Sequence, residues 1–248
     1  MKLSNQVAIV TGAGRNIGED VCKLFASEGA SVAVVDLDKE RGDKVAADIL
    51  ASGRNAKAFV CDVGKEEDLI ATVKGVKEAF GKIDILVNNA AISDNKTIFD
   101  LTKAEWDRVL AVTLTSQFLL TKYVAQEMVA QGHGGRIVNL SSTSGYYGRP
   151  RALAYTAAKG AIVNLTRSLA IQLAPHNIRV NSVVPNKIGS PVGKSDFDPT
   201  RPVKNLRNRP GVPIDLARAI LFLVSDDSDF ITAADLFVDG GCQAIMPS

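Results

Sequence analysis

A tyrosine and a lysine one helical turn apart form the pair in this chain that is best suited to proton transfer. Tyr155 and Lys159 lie four residues apart in a segment with helical periodicity, so both side chains project from the same helix face. A free tyrosine has a pKa of about 10, which is too high for efficient proton exchange near neutrality. We expect the neighbouring ammonium to lower this pKa by stabilising the phenolate. A surface Tyr–Lys pair without a chemical role is the alternative interpretation.

Hydroxyl side chains follow the apolar run that ends at Leu140. They are Ser141, Ser142, Thr143 and Ser144. Ligands of a doubly wound sheet bind at the carboxyl ends of its strands, where such hydroxyls can hydrogen-bond a substrate oxygen. Ordinary turn formation at a strand end is the alternative.

A glycine-rich segment, residues 11–18, joins the first predicted strand to the first predicted helix. Its small residues, Gly12, Gly14 and Gly18, allow backbone N–H groups and a helix N-terminus to approach a pyrophosphate. The third glycine comes one residue later than in the usual dinucleotide fingerprint, and an ordinary tight turn would use the same residue types. The segment therefore predicts a dinucleotide site through its position between a strand and a helix.

Asp36, at the end of the second predicted strand, bears on which dinucleotide is bound. A carboxylate in this place accepts hydrogen bonds from the adenosine ribose hydroxyls and repels a 2′-phosphate, which favours NAD over NADP. Arg15 could instead hold a 2′-phosphate, so use of both cofactors is the alternative. Taken alone, Asp36 could also be an exposed carboxylate at a strand end.

Short apolar runs alternate with longer segments of helical period along the whole chain. The predicted strands are 7–11, 31–35, 56–60, 83–87, 136–140, 179–184 and 235–238, and the predicted helices are 17–27, 39–51, 66–80, 102–130, 152–173 and 213–224. This rhythm predicts an α/β, Rossmann-like, doubly wound seven-stranded parallel sheet with helices on both faces. We expect one domain over residues 1–248.

The stretch 187–212 has neither helical nor strand periodicity. Its prolines are Pro191, Pro199, Pro202 and Pro210, and its charged residues are Lys187, Lys194, Arg201, Lys204, Arg207 and Arg209 against Asp196 and Asp198. We interpret it as an irregular substrate lid, because a long loop in a compact domain is usually functional. Its cations, with Arg149 and Arg151, could hold an anionic group of a substrate. Tyr146 and Tyr147 could pack against an aromatic or sugar ring of that substrate. A solvated basic loop is the alternative.

Composition excludes some other classes of function. A net charge of +2 gives no overall field that favours nucleic acid, and no segment approaches the roughly 20 apolar residues that span a bilayer. The cysteines, Cys22, Cys61 and Cys242, have no zinc-site spacing, so we expect reduced thiols, no metal and a cytoplasmic location.

Together these segments resemble the short-chain dehydrogenase/reductase family, in its compact single-domain branch. Residues 11–18 resemble its Thr-Gly-x-x-x-Gly-x-Gly loop, and Tyr155 with Lys159 matches its Tyr-x-x-x-Lys signature. Residues 88–91 are similar to its Asn-Asn-Ala-Gly segment, 185–190 to its Pro-Gly segment, and 226–241 to its closing segment.

The resemblance implies an NAD-dependent oxidoreductase that acts on a secondary alcohol or ketone. Tyr155 would be the general acid in reduction and the base in oxidation, Ser142 would orient the carbonyl oxygen, and Lys159 would hold the nicotinamide ribose and tune the tyrosine. The implied cofactor site comprises Gly12, Arg15, Asn16, Ile17, Gly18, Asp36, Asp62, Val63, Asn89, Ala90, Tyr155, Lys159, Pro185, Ile188 and Ser190. In it, Asp62 and Val63 would contact the adenine and Ile188 the nicotinamide carboxamide.

The chain departs from the family pattern at three positions. Asn16 and Asn186 stand where glycines are usual, and asparagine tolerates left-handed backbone better than most residues. Thr113 stands at the catalytic position of an asparagine that bends its helix and holds a water of the proton relay. Because threonine has no amide, we expect an altered or slower relay.

The sequence leaves two alternative functions open and predicts an oligomer. The alternatives are a 3-oxoacyl-thioester reductase, which would use NADPH, and a dinucleotide-binding regulatory protein without turnover. The predicted helix 152–173 is apolar on more than one face, so it must pack against the rest of the fold or a second subunit. With the resemblance, this predicts a homo-oligomer, a dimer or tetramer.

Overall fold

The computed structural model describes residues 1–192 and 196–245. It contains one seven-stranded parallel sheet in the order β3-β2-β1-β4-β5-β6-β7. The strands are β1 (Val7–Thr11), β2 (Ser31–Asp36), β3 (Ala56–Val60), β4 (Ile85–Asn88), β5 (Gly135–Leu140), β6 (Ile178–Pro185) and β7 (Asp235–Val238). The predicted fold class is confirmed, and the strand order reverses between β1 and β4, where such sheets bind ligands.

Helices cover both faces of the sheet, as predicted. They are α1 (Asn16–Ser27), α2 (Lys39–Ala51), α3 (Glu66–Phe80), α4 (Lys103–Leu110), α5 (Ser116–Gln131), α6 (Leu153–Leu173) and α7 (Pro213–Val224). The apolar side chains of α1, α2 and α7 pack on one face and those of α3 and α5 on the other. Central strands such as β1 and β4 are buried along their whole length because both faces are covered.

The single helix expected over 102–130 is interrupted, so that prediction was wrong in its interior. A capping box of Thr102 and Glu105 starts α4, but residues Ala111–Thr115 form a π-helical turn before α5. Wider turns of this kind often occur at functional sites, and helical periodicity alone does not reveal them. Here the turn contains Thr113, whose hydroxyl bonds to backbone outside the helix.

The stretch 187–212 has no helix or regular strand among its described residues. Its two ends meet where Ile188 pairs with Gly211, and Gly189 N donates to Gly211 O at 2.9 Å. Residues 187–212, called the excursion below, therefore leave the sheet after β6 and return to the same place. Lys194 lies outside the described residues.

A chain of buried polar side chains crosses the sheet below the carboxyl ends of β4 and β5. The Asn88 amide donates to Thr121 Oγ1 at 3.1 Å and to Asn139 Oδ1 at 2.9 Å, and Asn139 Nδ2 donates to Thr166 Oγ1 at 3.0 Å. Because these groups are shielded from water, each depends on the next for its hydrogen bonds. These hydrogen bonds between side chains connect α5 and α6 to strands β4 and β5.

Replacing Asn139 should destabilise the protein because Asn88 and Thr166 would lose buried partners. We expect Asn139→Ala to lower the free energy of unfolding by about 1–3 kcal/mol in urea denaturation. Lys44→Ala, on the exposed face of α2, is the control and should change it by less than about 0.5 kcal/mol. Equal effects of the two substitutions would contradict a structural role for these buried polar side chains.

Candidate active site

One large cavity, of about 1590 Å³, lies at the carboxyl ends of the strands. It extends from the β1–α1 loop and the end of β2, past the ends of β4 and β5, to the excursion after β6 and residues 242–245. Its volume exceeds that of a typical small-molecule site and suits a dinucleotide together with a substrate.

The glycine-rich loop has the backbone geometry that the sequence predicts. Gly12 has a φ of 61°, and Asn16 has a φ of 56°, in the left-handed region that asparagine tolerates. A Cβ atom on Gly18 would overlap the carbonyl oxygen of Gly12, so the first turn of α1 can approach the loop only without a side chain there. Arg15 and Ile17 line the cavity beside these residues.

Asp36 is positioned at the end of β2 by two backbone donors. Gly14 N donates to its Oδ2 at 2.7 Å, and Asp38 N donates to its Oδ1 at 2.9 Å. Both Asp36 and Arg15 line the cavity, as does Arg41 from α2, which no motif in the sequence indicated. The Arg41 guanidinium pairs with Asp38, at 3.2 Å.

Asp62 and Val63 follow β3 and line the same end of the cavity. Burial favours the neutral form of Asp62, but hydrogen bonds from Gly64 N and Arg108 outweigh it and lower the pKa of this carboxyl. Arg108 Nη2 lies 3.1 and 3.0 Å from the two carboxylate oxygens. Arg108 also lines the cavity, and no local motif could have identified it because α4 brings it from a distant part of the sequence.

Thr11 joins the glycine-rich loop to the segment after β4. Its hydroxyl accepts hydrogen bonds from the backbone N–H groups of Asn89 and Ala90, at 3.0 and 3.1 Å. The Asn89 side chain donates to the carbonyl oxygens of Thr11 and Gly12, at 2.8 and 3.0 Å. Asn89 and Ala90 thus form a wall of the cavity whose position is fixed to the loop.

Pro185, Ile188 and Ser190 line the cavity where the excursion leaves β6. Asn16 Nδ2 donates to Ser190 Oγ at 2.5 Å, which connects this segment to the glycine-rich loop. Asn186 Nδ2 contacts Cys242 Sγ at 3.2 Å and so connects it to the C-terminal segment. All the predicted cofactor-binding residues therefore meet around one cavity.

Ser142, from the connection after β5, comes together with Tyr155 and Lys159 of α6, and all three are buried. Ser142 Oγ accepts from Ser144 N at 3.1 Å, and this hydroxyl acts to lower the pKa of Tyr155. The Ser141 hydroxyl instead donates to the Lys159 carbonyl oxygen at 2.9 Å. Lys159 Nζ donates to Leu140 O at 2.5 Å and lies 5.6 Å from the centre of the Tyr155 ring.

Electrostatics in this cluster differ from the expectation for Tyr155. Burial raises the pKa of Tyr155, and the opposing effects of Ser142 and Arg149 are smaller. The expected net lowering of the Tyr155 pKa was wrong for this arrangement, because desolvation of the phenolate outweighs the other effects. Burial also lowers the pKa of Lys159, to about 7. Desolvation disfavours both charged forms, so the pair favours a neutral tyrosine beside a lysine that titrates near neutral pH.

Thr113 is placed differently from the other predicted catalytic residues. It is fully buried, and it is absent from the residues that line the cavity. Its hydroxyl accepts from Ile92 N at 3.1 Å and donates to Ile92 O at 3.0 Å. The side chain therefore anchors the segment after β4, and Ile92 rather than Thr113 reaches the cavity.

The far end of the cavity receives part of the predicted substrate-binding set. Tyr147, Arg149, Lys187, Arg201 and Lys204 line it. Tyr146 does not, because its ring packs on Phe237 with centroids 5.0 Å apart, and neither do Arg151, Arg207 and Arg209. Gln243 and Ile245 line this end too, although no pattern in the sequence indicated them.

The part of the chain that the structure describes contains no cluster of three potential metal ligands and no helix long and apolar enough to cross a membrane.

Comparison with known proteins identifies similar sequences along most of the chain. A sequence profile described as Enoyl-(Acyl carrier protein) reductase matches residues 12–243. The 2-(S)-hydroxypropyl-CoM dehydrogenase 3 of Xanthobacter autotrophicus is 39% identical over 98% of this chain and 99% of its own length. The cyclopentanol dehydrogenase of Comamonas testosteroni is 37% identical, with coverage of 98% and 99%.

A solved structure matches closely as well. The crystal structure of a short-chain type dehydrogenase/reductase from Mycobacterium marinum superimposes with a TM-score of 0.90 at 32% identity, covering 98% of this chain and 97% of that one. With a profile match over most of the chain and relatives aligned from end to end, this chain belongs to the short-chain dehydrogenase/reductase family.

Proposed function

We propose that this protein is an NAD-dependent dehydrogenase that interconverts a secondary alcohol and a ketone. The observation that carries the proposal is the burial of Lys159 beside Tyr155 and Ser142, in the cavity that the glycine-rich loop also lines. A buried lysine without a carboxylate partner costs stability, so its retention favours a chemical role. The relatives named as dehydrogenases of hydroxypropyl-CoM and of cyclopentanol support an alcohol substrate.

The proposed mechanism assigns one task to each of three side chains. In reduction, Tyr155 donates its phenolic proton to the carbonyl oxygen, which Ser142 orients by a hydrogen bond. The raised pKa of Tyr155 keeps this proton in place at neutral pH. In oxidation Tyr155 accepts the proton, and a protonated Lys159 stabilises the phenolate that precedes this step. The nicotinamide cofactor supplies or accepts the hydride.

The residues around the cavity fit a dinucleotide. The turn at Gly12 and the close approach at Gly18 leave room for a pyrophosphate at the N-terminus of α1. Asp36 would accept from the ribose hydroxyls and Asp62 would contact the adenine, while Lys159 would hold the nicotinamide ribose. Asp36 favours NAD over NADP because it would lie beside the 2′-phosphate.

A 3-oxoacyl-thioester reductase is the second candidate, since the matching profile is named for an acyl carrier protein substrate. That activity would use NADPH, which the carboxylate of Asp36 opposes. A regulatory protein that binds the dinucleotide without turnover is the third, and the buried catalytic cluster opposes it.

We also propose that the protein is a cytoplasmic homo-oligomer, a dimer or tetramer. The outer face of α6 exposes Leu153, Ala157, Ala161 and Ile171, with 73% of Ile171 accessible. Because this chain itself does not cover that apolar face, a second copy is the partner that the proposal assigns to it.

Removing the Tyr155 hydroxyl should abolish the chemistry and leave cofactor binding intact. We expect Tyr155→Phe to lower kcat by about 10²–10⁴-fold for a panel of secondary alcohols with NAD, with the Kd for NADH within about threefold of wild type. Tyr123→Phe, on α5 and outside the cavity lining, is the control and should retain kcat. Turnover by Tyr155→Phe near the wild-type rate would refute the mechanism, and NADH binding without turnover by wild type would favour the regulatory protein.

Neutralising Asp36 should shift the choice of cofactor. In Asp36→Asn the repulsion of a 2′-phosphate is lost, so the ratio of kcat/KM for NADP to that for NAD should rise about 10–100-fold. Asp43→Asn, exposed on α2, should leave the ratio unchanged. A wild-type preference for NADP would contradict the role assigned to Asp36 and favour the thioester reductase.

Burial of Lys159 should appear in the pH dependence of stability. In the unfolded chain the lysine keeps its proton up to its ordinary pKa of 10.5, whereas the folded protein loses it near pH 7, so unfolding takes up a proton between these values. The free energy of unfolding contributed by this group therefore rises with pH from about 7 to 10.5.

Lys159→Met should remove that rise and stabilise the protein by about 2–4 kcal/mol at pH 6, as judged by urea denaturation at pH 6 and pH 9. Lys44→Met, exposed on α2, is the control and should have little effect at either pH. If Lys159→Met destabilised the protein equally at both pH values, the buried charge of Lys159 would not be what lowers the free energy of unfolding at pH 6.

A further inference from the structure

Charge is distributed unevenly around the cavity. The described carboxylates that line it are Asp36, Asp38 and Asp62, which sit at the ends of β2 and β3. At the opposite end, beyond Ser142 and Tyr155, the described lining contains cations and no carboxylate. A substrate bound there meets hydrogen-bond donors without a competing negative side chain.

Arg201 is the cation of this end with shielded side-chain nitrogens that lack a described hydrogen-bond partner. Its Nε and Nη2 atoms are buried and have no partner among the described residues. The Arg201 side chain as a whole is half-buried, but polar atoms shielded from solvent in this way are nearly always hydrogen-bonded. The two N–H groups therefore indicate a place for an acceptor from a ligand.

Several neighbouring charged side chains of the excursion are bonded to partners within the protein. Arg209 forms a bidentate ion pair with Asp215, at 2.6 and 3.1 Å, and Lys187 Nζ donates to Pro202 O at 2.6 Å. Asp198, the carboxylate nearest in sequence, accepts from Thr200 N and Thr200 Oγ1 at 2.8 and 2.7 Å. Asp198 also interacts with the charge of Arg201, but the Nε and Nη2 atoms have no hydrogen-bond partner among the described residues and can bind a group from outside the chain.

A second donor without a partner comes from the C-terminal segment. Gln243 Nε2 is buried and unpaired among the described residues, and Gln243 lines the same cavity as Arg201. The two segments touch, since Leu206 N donates to Gly240 O at 2.8 Å. Lys204, exposed at the rim of the cavity, adds a further positive charge on this wall.

We infer that Arg201, with Gln243 and Lys204, binds an anionic group carried by the alcohol or ketone substrate at the end remote from the reacting carbon. Carboxylate, phosphonate and sulfonate all have the acceptor oxygens that a planar guanidinium fork and an amide N–H can bind together. Only the identity of the reacting end rests on the proposed function. Anion binding by Arg201 can be measured whether or not turnover occurs.

The test compares methyl ketones that carry either an anionic group or a methyl group at the end remote from the carbonyl. Wild type and variants are assayed in reduction with 5-oxohexanoate, 5-oxohexanesulfonate and the neutral 2-hexanone. We expect wild type to prefer an anionic ketone, with a preference that falls as salt rises. Arg201→Gln should lower kcat/KM for that ketone by about 10–100-fold, mainly through KM, and leave 2-hexanone within about threefold. Arg201→Lys should recover part of the loss.

Arg207→Gln is the matched control, because it removes the same charge from an exposed position of the same excursion outside the cavity lining. It should leave the anion preference unchanged. Binding is measured separately by calorimetry with butanesulfonate and pentanoate in the presence of NAD, and Arg201→Gln should abolish it.

The outcomes separate this inference from the proposed function. Turnover of neutral and anionic ketones at equal kcat/KM would overturn the anion site and leave the dehydrogenase intact. Anion binding that depends on Arg201, without turnover of any ketone, would support the site and overturn the dehydrogenase. Weaker NADH binding in Arg201→Gln, with an unchanged ratio of anionic to neutral ketone, would assign Arg201 to a cofactor phosphate and overturn the inference.

Discussion

The desolvation of Lys159 beside Tyr155 is the constraint on which the rest of the site depends. Both side chains are almost wholly removed from water, and Nζ keeps one hydrogen bond, to Leu140 O at the end of β5. Holding them together requires β5 and α6 in fixed register. The Ser141 hydroxyl bonds Lys159 O, and Gly145 approaches the same carbonyl so closely that a Cβ would clash with it.

The start of α6 is held from another part of the sheet. Asp94, after β4, accepts from Tyr155 N at 3.1 Å, and Ala152 N donates to Lys96 O at 2.9 Å. Thr113 in turn fixes Ile92 in the same segment. The segment after β4 therefore links α6 to the π-helical turn, which explains how Thr113 supports the proposed site without lining the cavity.

The sequence predicted elements and motifs better than contacts between distant segments. Periodicity located all seven strands and the helical segments because each depends on a local pattern of buried side chains. It missed the π-helical turn, because this turn spans only Ala111–Thr115 within a much longer helical pattern. Arg108 on Asp62 and Gln243 in the cavity depend on tertiary placement, which spacing does not encode.

The wrong prediction for the pKa of Tyr155 also arose because the pKa depends on tertiary packing. A spacing of four residues brings Lys159 close, but the effect of that lysine depends on burial, which only the packed structure reveals. Desolvation raises the pKa of Tyr155 and lowers that of Lys159, so proximity alone gave the wrong direction for the tyrosine. Tyr146 illustrates the same limit, because packing on Phe237 takes it away from the cavity.

A direct titration of Lys159 tests the central claim. The protein is labelled with lysine carrying ¹³C at Cε, the Lys159 signal is assigned by its loss in Lys159→Met, and its chemical shift is followed with pH by NMR. We predict a midpoint at about pH 7, well below the ordinary lysine value of 10.5. A midpoint near 10.5 would show a solvated lysine and contradict the proposed basis of the chemistry.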